Sequence, residues 1–282
     1  MKLVRFGPKG REKPGMLDAA GVVRDLSGVV DDIAGETLTP AGLAALRALD
    51  PAALPAAPAG ERLGPCVGRV GKFVCVGLNY ADHAAETGAE PPAEPVLFMK
   101  ATSAISGPCD DVVRPRGSTK LDWEIELGVV IGKEARHVSE EEARGHIAGY
   151  CVVNDISERA FQLESTGQWT KGKSCDTFGP IGPHLATAEE IPDPLALSMR
   201  LSVNGRTCQN GSTRTMIFGP YSLVSYISRF MSLQPGDVIS TGTPPGVGLG
   251  RNPPTFLKPG DVMELEIEGL GVQRQRVVDY DG

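Results

Sequence analysis

The run Leu121-Asp-Trp-Glu-Ile-Glu-Leu-Gly-Val-Val-Ile131 constrains the fold more than any other stretch of the chain. Read with a period of two, Leu121, Trp123, Ile125, Leu127, Val129 and Ile131 share one face of a strand, and Asp122, Glu124 and Glu126 share the other. The acidic face continues as Gly128 and Val130, so beyond Glu126 it enters an apolar interior. Alternate side chains on a strand stand roughly 6.5 to 7 Å apart at the backbone, close enough for two carboxylates to converge on one ion. Acids stacked into an interior repel one another and lose hydration unless a cation or a proton compensates. An edge strand with a wet polar face gives the same alternation. This stretch alone leaves both readings open.

The 35 glycines and 23 prolines break the sequence into short apolar runs, the pattern of a β-rich protein with many turns. Strands are expected at 2–6, 15–18, 22–26, 72–77, 121–132, 148–154, 198–203, 237–241 and 261–268. Helices are expected near 41–49, 80–87, 139–146, 157–166 and 219–231. The Pro/Ala-rich stretch 51–60 reads as a linker, which divides the chain into a small N-terminal β-rich appendage, 1–66, and a catalytic domain, 67–282. The expected fold class is α+β, β-dominated.

Lys and Arg total 28 against 35 Asp and Glu, a net charge of −7 with no basic run. That argues against a nucleic-acid partner and favours small molecules. No apolar stretch approaches the roughly 20 residues of a membrane helix. Met1-Lys-Leu-Val-Arg-Phe6 reads as a strand, not a signal peptide, so a cytoplasmic location is expected. The six cysteines (66, 75, 109, 151, 175 and 208) show no zinc spacing, and most read as small buried hydrophobes.

Several further residues could carry chemistry. His83 and Glu86, three apart on the expected 80–87 helix, would form a carboxylate-oriented imidazole able to act as a base toward water, or a plain surface pair. Asp155 ends the apolar run Tyr150–Asn154 and could complete an oxygen ligand set with Glu124 and Glu126, or cap a helix together with Glu158. An all-oxygen set suits Mg²⁺ or Mn²⁺, allows Ca²⁺ and disfavours Zn²⁺. Arg159 and Gln162 could face one pocket. In Thr170–Phe178 a lysine could stabilise a developing enolate or simply be solvated. The loop Thr241-Gly-Thr-Pro-Pro-Gly-Val-Gly248 lacks the features of a phosphate loop. Its backbone and Thr243 could receive a carboxylate, and a merely tight loop is an equal reading.

Taken in order, Gly77-Leu-Asn-Tyr-Ala-Asp-His83, Asp122-Trp-Glu-Ile-Glu-Leu-Gly128, Asn154-Asp-Ile-Ser-Glu-Arg159, Lys173-Ser-Cys-Asp-Thr-Phe-Gly-Pro180 and Thr241–Gly248 resemble the fumarylacetoacetate hydrolase family. The resemblance implies a roll of mixed β-sheets, commonly a homodimer, with a small N-terminal appendage. It implies Mg²⁺ or Mn²⁺ on Glu124, Glu126 and Asp155, catalysis by His83, Glu86 and Lys173, and substrate contacts from Arg159, Gln162 and Thr243. It also implies a lid over about residues 80–95. Fumarylacetoacetate hydrolase itself has an aspartate ligand shortly before its catalytic histidine and a longer N-terminal domain; here Asn79 stands in that neighbourhood. The chain is more similar to bacterial members, often labelled ureidoglycolate lyase-like, that hydrolyse acylpyruvates or 2,4-diketo-3-deoxy sugar acids to pyruvate and a carboxylic acid. Oxaloacetate decarboxylation, isomerisation of 2-hydroxyhepta-2,4-dienedioate and a non-catalytic ligand-binding role are the alternatives.

Overall fold

In the computed structural model, which describes residues 1–82, 90–164 and 166–281, the acidic run folds as two strands, Leu121–Asp122 and Ile125–Ile131. The break at Trp123-Glu124 leaves the alternation intact. Leu121, Trp123, Ile125, Leu127, Val129 and Ile131 all join one hydrophobic core, while Val130 packs into a second one. The wet-edge alternative is ruled out, because every residue from Leu121 to Ile131 is buried.

The Ile125–Ile131 strand lies inside a ten-stranded mixed sheet. In spatial order the sheet runs Val23–Asp25, Lys13–Leu17, Lys2–Phe6, Gly179–Thr187, Ile147–Asn154, Ile125–Ile131, Val238–Ser240, Phe73–Gly77, Val96–Lys100, with Ile105–Ser106 added beside Gly179–Thr187. Val238–Ser240 pairs parallel with Phe73–Gly77 and antiparallel with Ile125–Ile131. A second sheet of five strands has the order Arg206–Ser212, Ser198–Val203, Val262–Ile267, Gly271–Asp279, Val112–Arg114. Met199, Leu201, Met263, Leu265 and Ile267 of this sheet share the first core with Val74, Leu127 and Val129 of the large one, and the helix Pro220–Ile227 adds Leu223, Val224 and Ile227.

The N-terminal segment is built into the same large sheet. Lys2–Phe6 pairs with Gly179–Thr187, setting Lys2 opposite Ala186 and Leu3 opposite Leu185. Leu3, Met16, Leu26, Leu43 and Leu46 then share the second core with Phe73, Cys75 and Val130. The Pro/Ala stretch reads as a linker because proline removes backbone donors, yet the chain pairs there: Asp25 N–H donates to Pro55 O at 2.8 Å, and Ala57 N–H to Val23 O at 2.8 Å.

Two expected helices are shorter than their patterns suggest. The 157–166 helix runs from Arg159 to Leu163, because Ser157–Glu158 instead pairs with Leu121–Asp122. The 219–231 helix is Pro220–Ile227. Of the expected 80–87 helix, residues 83–87 lie outside the described residues. Among the described residues no helix is long and apolar enough to cross a membrane.

Candidate active site

The strands Ile125–Ile131 and Ile147–Asn154 pair antiparallel, with Val153 opposite Glu126 and Asn154 opposite Ile125. Asp155 N–H donates to Glu124 O at 2.9 Å, which carries the pairing one step past the strand end. That step brings Asp155 against both glutamates: ligand oxygens of Glu124, Glu126 and Asp155 all lie within 4.8 Å of one another. The three residues are 7, 2 and 0% exposed, so their charges must be answered inside the protein. The capping alternative for Asp155 falls away, since it is Glu158 that caps the next helix, accepting from Ala160 N–H at 3.1 Å.

Three cations meet four carboxylates here. Arg159 donates from Nε to Asp122 Oδ2 at 2.8 Å and from Nη2 to Glu124 Oε1 at 2.6 Å. Lys173 Nζ donates to Glu124 Oε2 at 2.7 Å and to Asp155 Oδ2 at 2.9 Å. Lys100 Nζ lies 2.5 Å from Asp155 Oδ1, in an ion pair without hydrogen-bond alignment, and donates to Ile156 O at 3.0 Å and Lys173 O at 2.5 Å. Burial works to raise the Glu124 carboxyl, but Lys173 and Arg159 outweigh it and hold the group down to about 2. Glu126 is treated differently: it accepts from Ser240 Oγ at 2.6 Å and Gly242 N–H at 2.8 Å, both neutral donors. Burial, then the charges of Asp155 and Glu124, push its carboxyl well above the ordinary range. Among the described residues no cationic side chain pairs with it. A cluster of hard oxygen donors one positive charge short at Glu126 fits a divalent metal cation.

Glu124, Glu126, Asp155, Arg159, Gln162, Lys173 and Thr243 line one cavity of about 430 Å³. Their polar groups are not equally available. Thr243 Oγ1 donates to Ile125 O at 2.8 Å and accepts from Gln209 Nε2 at 2.7 Å, so the hydroxyl is engaged by the protein. Gln162 Oε1 accepts from Arg159 Nη1 at 3.1 Å. His83 and Glu86 lie outside the described residues. Asn79 is a structural tie: its amide donates to Phe218 O at 3.0 Å and Thr241 O at 2.7 Å, and accepts from Phe218 N–H at 2.8 Å. Asp122 anchors the Gly248 loop, accepting from Gly248 N–H at 2.6 Å and Leu249 N–H at 3.0 Å.

Lys100 was not foreseen from the sequence. It ends the apolar run Val96-Leu-Phe-Met, and a lone lysine at a strand end carries no local signal of burial. Its neighbour in function is the short helix Thr170–Lys173. Trp169, which opens that helix, meets Phe98 edge-to-face at 5.2 Å and covers Gly77, where a Cβ would stand 2.6 Å from the indole.

A roll of mixed sheets with a buried three-carboxylate centre at one strand end defines the class of protein. The sequence profile of the fumarylacetoacetate (FAA) hydrolase C-terminal domain matches residues 72–278, and the chain belongs to the fumarylacetoacetate hydrolase family. A relative from Burkholderia cenocepacia (strain HI2424), whose name says hydrolase and gives no substrate, is 60% identical over 280 residues, 99% of each chain. The fumarylacetoacetate hydrolase of psychrophilic Exiguobacterium antarcticum superposes with a TM-score of 0.86 at 36% identity, covering 99% of this chain and 100% of that one. A maleylpyruvate hydrolase of Sphingobium sp. SYK-6, solved with manganese(II) and pyruvate, gives 0.83 at 28% identity and 100% of both chains.

Proposed function

We propose that this chain is a divalent-metal-dependent hydrolase that cleaves the C3–C4 bond of a 2,4-dioxo acid, releasing pyruvate and a carboxylic acid. The observation that carries the reading is the buried cluster of Glu124, Glu126 and Asp155 with the Lys173 ammonium set between two of its members. The maleylpyruvate hydrolase solved with manganese(II) and pyruvate supports it by analogy. Glu124, Glu126 and Asp155 would hold the ion, which when bound supplies Lewis acidity toward the 2-oxo acid end of the substrate.

The chain's own residues supply the rest. Burial lowers an isolated ammonium's basicity, but Asp155 and Glu124 outweigh that at Lys173 and keep it charged. It can therefore answer negative charge developing as the pyruvate enolate leaves. Arg159 braces Glu124 and Asp122, fixing the carboxylate that faces the cavity. His83, oriented by Glu86, is assigned from the sequence as the base that takes a proton from water as its oxygen attacks C4. The C3–C4 bond then breaks, its electrons pass to the enolate, and a proton returns to C3.

The test is pyruvate release from a panel of 2,4-dioxo acids with and without Mn²⁺. Glu126→Ala is expected to abolish release, a loss on the order of 10³-fold or more. Turnover that survives EDTA unchanged would sink the metal-dependent reading. His83→Ala is expected to stop hydrolysis; retention of oxaloacetate decarboxylation in that variant would assign the site to enolate chemistry without activated water.

A further inference from the structure

The cavity over the acid cluster has two chemical characters. Its charged lining is Glu124, Glu126, Asp155, Arg159 and Lys173, and both cations are already bound to those acids or to Asp122. Gln162 and Thr243 are the other polar lining residues, the first sharing its carbonyl with Arg159 and the second hydrogen-bonded twice to the protein. Every remaining described lining residue is apolar or glycine, with Leu78, Phe98, Leu163, Trp169, Val247 and Leu249 the large ones. The aromatic pair is in edge-to-face contact, and Trp169 also packs against the Cβ-less Gly77. Leu163 and Leu249 line the same cavity yet stay 46 and 37% exposed. Apolar side chains gathered around one opening mark a surface that gains by being covered.

A second carboxylate reaching this lining would meet no further cation among the described lining residues, where Arg159 and Lys173 are engaged at the acid cluster, and sugar hydroxyls would lose their water without replacement. We infer that the acyl half of the substrate is apolar, an aromatic or branched aliphatic group. The preferred 2,4-dioxo acid then carries a single carboxylate and is neither a dicarboxylate nor a sugar acid, and Trp169 and Phe98 set that choice. The inference rests on reading the acid cluster as a 2-oxo acid site.

Binding and turnover test it separately. Phenylpyruvate and 2-oxoglutarate, neither of which has the C4 ketone that the cleavage requires, are titrated calorimetrically into the full chain with Mn²⁺. Phenylpyruvate is expected to bind about 30-fold or more tightly, and Trp169→Ala to reduce that ratio about tenfold. Equal affinity, preference for 2-oxoglutarate, or no binding of either overturns the inference. For turnover, 4-phenyl-2,4-dioxobutanoate is expected to exceed 2,4-dioxohexanedioate by about 100-fold in kcat/KM. Equal pyruvate release from both overturns the specificity and leaves the hydrolase standing. No release from either, with the phenylpyruvate preference intact, overturns the hydrolase and leaves the specificity.

Discussion

Among the described residues the hydrogen-bond donors to the Glu126 carboxyl are both neutral, the Ser240 hydroxyl and the Gly242 amide. Its folded-state pKa lies above the unfolded value of 4.5. The group therefore favours the fold while protonated, below about pH 4.5, and that contribution is lost as pH rises through the folded value. Once ionised, the buried carboxylate opposes folding until a cation arrives. Glu126→Gln keeps acceptors for Ser240 and Gly242 and removes the charge. In EDTA the variant is expected to be the more stable by about 1 to 2 kcal/mol, while in excess Mn²⁺ the wild type gains and the variant does not. Thermal unfolding in the two buffers should show the order of the melting temperatures inverting; the same order in both contradicts the assignment. At this scale the acids were legible, because alternation and a strand end are local signals. Lys100 was not, since its three partners, Asp155, Ile156 and Lys173, are at least 55 residues away along the chain.

At the scale of elements, the loop after Val238–Ser240 shows how backbone conformation serves the acid cluster. Gly242 has φ +95°, in the region that favours glycine, and a Cβ there would stand 2.9 Å from Asn79 Cβ and 3.1 Å from Val76 O. In this conformation its N–H reaches Glu126 Oε2 at 2.8 Å. Gly242→Ala is expected to cost about 1 to 3 kcal/mol and to weaken Mn²⁺ binding, measured by the paramagnetic resonance of the free ion; unchanged Mn²⁺ affinity would separate the loop from the site. Strands with uninterrupted apolar or alternating patterns were readable: Ser198–Val203 matches its expected range, and Ile147–Asn154 and Val262–Ile267 fall within a residue of theirs. Gly179–Thr187 was hidden by Pro180 and Pro183, which lack the amide a central strand needs. The sheet admits Pro183 at a register shift: Tyr150 stands opposite Ala186 and Val152 opposite Gly182, so the residues from Pro183 to Leu185 face Cys151 alone. Arg206–Ser212 and Gly271–Asp279 were missed because they are polar and partly exposed, paired by their neighbours and not by an apolar pattern of their own.

For the molecule as a whole, the joint between the two sheets is expected to respond to pH through one buried histidine. His184 of the large sheet sets Nε2 3.4 Å from Gly269 O, in the turn between two strands of the second sheet. Burial, assisted by the Lys2 charge, pushes its imidazole down to about 4. Between about pH 6.5 and 4 the unfolded chain binds the extra proton, so stability present above 6.5 falls as the pH drops, by about 3 kcal/mol in all. His184→Gln is expected to flatten the acid limb of melting temperature against pH across that range; an unchanged slope would place the acid sensitivity elsewhere. The family and its mixed sheets could be read from scattered motifs, whereas the joining of residues 1–66 to the large sheet could not, since it depends on pairing across more than 180 residues of chain. One turn of helix finally ties two properties together. Trp169 begins it as part of the apolar lining, and Lys173 ends it in the acid cluster. Widening the cavity by shifting this turn displaces the ammonium as well, so substrate range and rate are inherited as one trait, and variants selected for bulkier acyl groups by moving the tryptophan will lose turnover.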